Sequence, residues 1–222
     1  MTDERDTALL EAWRRALPPD APDATSAAVG RDLLARWSEP ARHYHTTEHL
    51  AFMLDVIEEA SALAYDATAV RLAAWFHDAI YDPVASIAGA NERASADLAA
   101  ALLPRVAVAR DQTAEVVRLV LLTADHRVAP ADRNGALLAD ADLAILGASA
   151  ERYRRYAAAI RDEYAHVPDD AFAAGRSAVL AKLLELDPIF QLAPHREAWQ
   201  ARARENVRAE LDELRGRLDR DA

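Results

Sequence analysis

The prolines of this chain fall between stretches in which apolar side chains recur every three to four positions. Pro18-Pro19, Pro40, Pro83, Pro168 and Pro188 each stand at the end of such a stretch. Proline lacks the backbone donor and clashes with the preceding turn, so each of these positions ends a helix. Between the breaks, Ala, Leu, Arg and Glu dominate and only six glycines occur in 222 residues, which favours helix at most positions. Strand formers are scarce. The expectation is an all-α fold of about ten helices.

The periodicity predicts helices over about 3–16, 25–37, 66–79, 89–103, 111–124, 134–146, 149–165 and 169–186. A further helix starts at Thr46 or Thr47 and carries His49, and a long one runs from about Pro194. Thr46 or Thr47 and Asp66 are the expected N-caps, because a side-chain oxygen there can accept from a free amide of the first turn. No repeat and no Gly/Ser-rich or Pro-rich linker divides the chain, so residues 1–222 are expected to form a single domain. Its core is placed at about 42–147, with the C-terminal helices over about 149–217 packing on it. The charge-dense stretch at 196–215 mixes signs at helical spacing and reads as a solvated face.

The formal net charge of −11 argues against a nucleic acid polymer as partner, since phosphates are neutralised by clustered Lys and Arg. Cysteine is absent, which excludes disulfides and thiolate ligands; any transition metal must be held by imidazole and carboxylate. The acidic, amphipathic N-terminus lacks the features of a signal peptide. No apolar run approaches the roughly 20 residues of a membrane span. A cytoplasmic location is expected, with no membrane partner; assembly into a homo-oligomer is left open.

Several ionisable residues fall on apolar faces. His77 follows Ala73 and Val70 at helical spacing, Asp78 is adjacent, His49 precedes Met53 and Val56, and His126 follows Leu119 and Leu122. Asp142 stands among Leu138, Ile145 and Leu146. A buried carboxylate must be neutralised, paired or bound to a cation. Any one of these histidines alone reads as a core residue bonded to a carbonyl. Together, imidazole nitrogen and carboxylate oxygen match the needs of a divalent cation such as Mn, Mg, Co, Ni, Fe or Zn.

His49, the adjacent His77-Asp78 and the distal Asp142 in an Ala-Asp-x-Leu context resemble the HD superfamily of metal-dependent phosphohydrolases. The segments at 91–96, 160–164 and 175–180 are similar to a stand-alone bacterial branch of it. The resemblance implies an HD-like helical bundle with His49, His77, Asp78 and Asp142 as metal ligands, Asp140 being the fallback for Asp142. It implies hydrolysis of a small phosphate ester, a nucleotide among the candidates, by metal-activated water. Asp78 would both ligate and orient that water.

Some superfamily members carry a catalytic glutamate one turn after the His-Asp pair, where this chain has Tyr81. Asp82 and Glu92 are the substitutes, each with a bland alternative: a turn before Pro83 for Asp82, a solvent-facing position for Glu92. His126 and His45 are candidates for a second metal or for substrate contact, His45 reading equally as a loop residue. Arg161, Arg176 and Lys182 are candidates for the substrate phosphate because a guanidinium fork suits it, as are Arg42 and Tyr44. Surface ion pairing is the ordinary alternative for the arginines. Two other functions remain open: a di-iron oxygenase, favoured only by the extra histidines, and a non-catalytic nucleotide-binding domain.

Overall fold

The computed structural model describes residues 2–84 and 89–221. Among the described residues there are ten α-helices, three short 3-10 turns and no strand. The helices are α1 (Thr2–Ala16), α2 (Asp23–Trp37), α3 (Thr47–Glu59), α4 (Ala67–Phe76), α5 (Ala90–Leu102), α6 (Arg110–Leu122), α7 (Arg133–Leu143), α8 (Ala150–Glu163), α9 (Asp169–Glu185) and α10 (Ala193–Asp221). The chain divides into two compact units, one ending at Ala141 and the other beginning at Asp142. No helix is long and apolar enough to cross a membrane among the described residues.

In the first unit α4 is the central element, packed by α1, α3, α5 and α6. Its sequence is apolar on nearly every face, and Leu72 through Phe76 are fully buried, as expected of a helix surrounded by others. Leu72 and Phe76 each contribute roughly 1.5–3 kcal/mol by leaving water. Trp13 of α1 meets Trp75 edge-on at 5.5 Å and Phe76 at 6.2 Å, and its Nε1 donates to the Ser26 carbonyl at 2.9 Å. Gly30 permits this crossing of α1 and α2, since a Cβ there would lie 2.6 Å from Trp13 Cδ1.

Thr46 caps α3 through a 3.3 Å bond from Glu48 N. Asp66 caps α4 through a 2.9 Å bond from Ala69 N. Asn134 accepts from Tyr65 N at 2.9 Å and Asp66 N at 2.8 Å, and donates to Glu115 at 2.8 Å. These bonds tie the entrance of α4 to α6 and to the start of α7.

In the second unit α10 packs on α8, on α9 and on the 3-10 turn Ala144–Gly147. Ala203, Val207, Leu211 and Leu214 form its buried stripe, while Arg202, Glu205, Arg208, Asp212 and Glu213 are exposed. The mixed charges therefore form a solvated face. Asn206 Nδ2 donates to the carbonyls of Leu146 and Ala148 at 2.9 and 3.0 Å, and Arg202 Nε to that of Gly147 at 2.8 Å. The carbonyls that the turn leaves without helical partners are thus satisfied by the last helix.

Two helix ends differ from the periodicity. α4 stops at Phe76 and leaves His77-Asp78 on the turn that follows, where the imidazole of His77 bonds back to the Ala74 carbonyl at 2.9 Å. α7 stops at Leu143 and tightens into the 3-10 turn held by α10.

Candidate metal centre

His49, His77 and Asp78 come together in the first unit. One ligand atom from each lies within 4.8 Å of the others, and both histidines are buried. His49 enters from the first turn of α3, three residues past the Thr46 cap. His77 and Asp78 enter from the turn that ends α4. Carbonyls only accept, so the bond to Ala74 places the proton of His77 on Nδ1 and turns Nε2 toward the Asp78 carboxylate, 3.2 Å from Oδ2.

Aromatic rings wall this group. Trp37 lies 5.3 Å from the His77 ring and 6.2 Å from the His49 ring, with its Nε1 fixed on the Trp75 carbonyl at 3.0 Å. Tyr44 stands 4.8 Å from His49. His45 packs on Tyr81 at 4.4 Å and brings Nε2 to 3.8 Å from Asp78 Oδ2. Trp37 was not singled out from the sequence; its one signal is a tryptophan closing α2 five residues before the Arg-His-Tyr-His segment.

The segment after Asp78 is gripped by α5. Ser95 Oγ accepts from Ile80 N at 3.0 Å and donates to Ile80 O at 3.2 Å. Asn91 exchanges two 3.1 Å bonds with the backbone of Asp82. The motif at 91–96 is thus a clamp on the backbone that follows the His-Asp pair.

The other expected residues lie as follows. Asp82 is exposed and its carboxylate accepts from Val84 N at 2.9 Å, the turn role weighed against catalysis. Glu92 is half-buried in the first turn of α5. His126 adopts a left-handed φ of 54° and its amide closes the end of α6 on Leu122 O at 2.9 Å. Asp142 belongs to the second unit, is half-buried and acts electrostatically on Tyr156. Asp140 is fully buried in the first unit. Residues 134–141 are buried on all faces of α7, so helical spacing alone does not rank the two carboxylates.

The cationic candidates are engaged elsewhere. Arg161 braces the end of α8 through Tyr164 O at 2.6 Å, Val167 O at 3.0 Å and Asp169 at 2.6 Å. Arg176 pairs with Glu210 at 2.8 Å and is buried, while Lys182 is exposed on α9. Arg42 is almost wholly buried and donates to Glu39, to His45 O and to Asp78 O, a setting for bracing the fold rather than meeting substrate.

Comparison of the chain with family models, with curated proteins and with solved structures found no match. The functional reading therefore rests on the residues themselves.

Proposed function

We propose that this chain is a metal-dependent phosphohydrolase of the HD type, acting on a nucleotide or another small phosphate ester. The observation that carries the reading is the orientation of His77: its Nδ1 is held by a backbone carbonyl and its Nε2 faces a carboxylate within a buried group of three Lewis bases. That carbonyl-imidazole arrangement is the usual outer support of a metal-bound histidine. Two imidazole nitrogens and one carboxylate oxygen suit a borderline divalent cation.

When bound, such a cation supplies Lewis acidity, acidifying water and neutralising charge on a phosphoryl group. Asp78 holds and orients the attacking water through its carboxylate. Trp37 and Tyr44 shield the histidines from bulk solvent, which strengthens every charge interaction at the group. Glu92 is the residue proposed to protonate the leaving group, since Asp82 spends its carboxylate on the turn at Val84.

The test is metal analysis of protein purified without chelator, followed by a phosphate-release screen over nucleotides with Mn, Mg, Co and Ni. About one divalent ion per chain is expected, lost in His77→Ala, with phosphate release that requires it. Failure to bind any of these ions would overturn the reading, and two tightly held irons without phosphatase activity would replace it by the oxygenase.

A further inference from the structure

We infer that Arg42 is the positioning residue of the metal centre, a buried fork that sets the Asp78 ligand by gripping its own backbone. The inference rests on the metal-binding reading above. Four observations of geometry meet on this one side chain.

First, Arg42 Nη1 donates to the carbonyl of Asp78 at 2.8 Å and to that of His45 at 3.2 Å. The two residues whose side chains face each other at 3.8 Å are thereby fixed by one nitrogen. Second, Arg42 Nε is held on Glu39 at 3.1 Å, which fixes the guanidinium through a second nitrogen. Third, the guanidinium carbon lies 5.5 Å from the Trp37 ring and 5.3 Å from the Tyr81 ring. These rings also line His77 and His45, at 5.3 and 4.4 Å. Fourth, the side chain is 1% exposed, so it is locked by packing and does not sample solvent.

The arrangement complements α5, which holds the following residues through Ser95 and Asn91. The Asp78 peptide is thus fixed on the Arg42 side and the Ile80–Asp82 backbone on the other. A ligand carboxylate must be held to within a fraction of an ångström for good metal geometry, and outer supports of this kind govern affinity by about 10- to 100-fold.

A second physical effect acts in the opposite direction, which makes the inference sharp. A positive guanidinium close to a cation site repels the cation. If charge dominated, removing Arg42 would tighten metal binding. If the fork positions Asp78, removing it loosens binding.

Arg42→Met, which keeps the apolar stem between the two rings, is compared with the wild-type chain by calorimetric titration with Mn and by the visible absorption of the Co-loaded protein. The expected result is a Kd raised by about 10-fold or more and an altered Co band, with helical circular dichroism retained. An equal or tighter Kd with an unchanged band overturns the inference. Should Arg42→Met fail to fold, Arg42→Lys decides: it keeps the charge but lacks the fork. A several-fold weaker Kd with a shifted band then supports positioning, and wild-type values overturn it. A wild-type chain that binds neither Mn nor Co brings down the metal reading together with this one, whereas normal wild-type binding with unaffected variants brings down Arg42 alone.

Discussion

Two buried polar clusters, one in each compact unit, are assembled on opposite principles. In the second unit Arg176 meets Glu210 through Nε at 2.8 Å and Nη2 at 3.2 Å, and Tyr153 donates to the same carboxylate at 2.6 Å. The Arg176 guanidinium also covers the Tyr156 ring at 5.1 Å. Donor and acceptor are matched, charge and countercharge cancel, and burial together with Glu210 pushes the Tyr153 hydroxyl well above its usual range. In the first unit His49, His77 and Asp78 gather three groups that all offer lone pairs. One cluster is complete within the protein. The other is a set of ligand-type atoms that could hold a metal ion.

The largest expected effect breaks the complete cluster. Arg176→Ala strands a buried carboxylate and should cost about 3–5 kcal/mol in urea unfolding. Replacing both partners, as Arg176→Met with Glu210→Gln, should cost clearly less, because no uncompensated charge remains. If instead Arg176→Ala keeps full stability and loses phosphate-ester turnover, Arg176 is a substrate contact and the contrast between the clusters fails.

The converse experiment targets the open cluster. Asp78→Asn should change the stability of metal-free protein less than Arg176→Ala does, since it keeps the side-chain shape and the facing His45 and His77 ring nitrogens, at 3.8 and 3.2 Å, can shed their charge, as Arg176 cannot. The wild-type chain should gain about 2.7 kcal/mol at a metal concentration 100-fold above Kd, and Asp78→Asn should gain none. Thermal unfolding with and without Mn reads both values. A large loss in the metal-free variant would mean that Asp78 is chiefly a structural partner of the neighbouring histidines.

Ser95→Ala tests the frame around the open cluster. Ser95 is fully buried and serves both the amide and the carbonyl of Ile80. Its loss should cost about 1–3 kcal/mol, the penalty for unsatisfied buried backbone groups. Weakened Mn binding beyond that loss would show the clamp reaching Asp78.

The unequal legibility of these features in the sequence has a physical cause. Helices and caps depend on local spacing, so Asp66 was readable as the cap of α4 and the cap of α3 as Thr46 or Thr47, of which the structure selects Thr46. The all-helical class followed from the same signals. His49, His77 and Asp78 were readable as a group because ligand-type residues on apolar faces are costly and therefore conspicuous. Which arginine does what was not readable, because helical spacing does not say whether the partners of Arg42, Arg161 and Arg176 are near or far along the chain. Arg161 sits opposite carbonyls six or fewer residues away, whereas Arg176 finds Glu210 on another helix, 34 residues on. The end of α4 differs from the periodicity for a related reason: the helical period continues through Ala79, while the chain turns after Phe76 and His77 bonds back to the Ala74 carbonyl, a contact that periodicity does not encode.

The smallest expected effect concerns a third network, which is complete like that of the second unit but open to solvent. Arg118 bonds Glu115 at 2.7 and 2.8 Å and Asp132 at 2.7 and 3.1 Å. The hydrogen bonds from Arg118 hold the Glu115 carboxyl below the usual carboxylate range, helped by Asn134 and opposed by partial burial. Because the folded pKa is the lower one, the stabilisation is fully present above the unfolded value near about 4.3 and disappears as pH falls through the folded value. Glu115→Gln should therefore destabilise the chain at neutral pH and reduce its acid sensitivity below about pH 4.3. Urea midpoints across the acid range measure this. Equal acid slopes in the two proteins would show that exposure to solvent cancels the gain of a complete network, confining the difference between complete and open clusters to those that are buried.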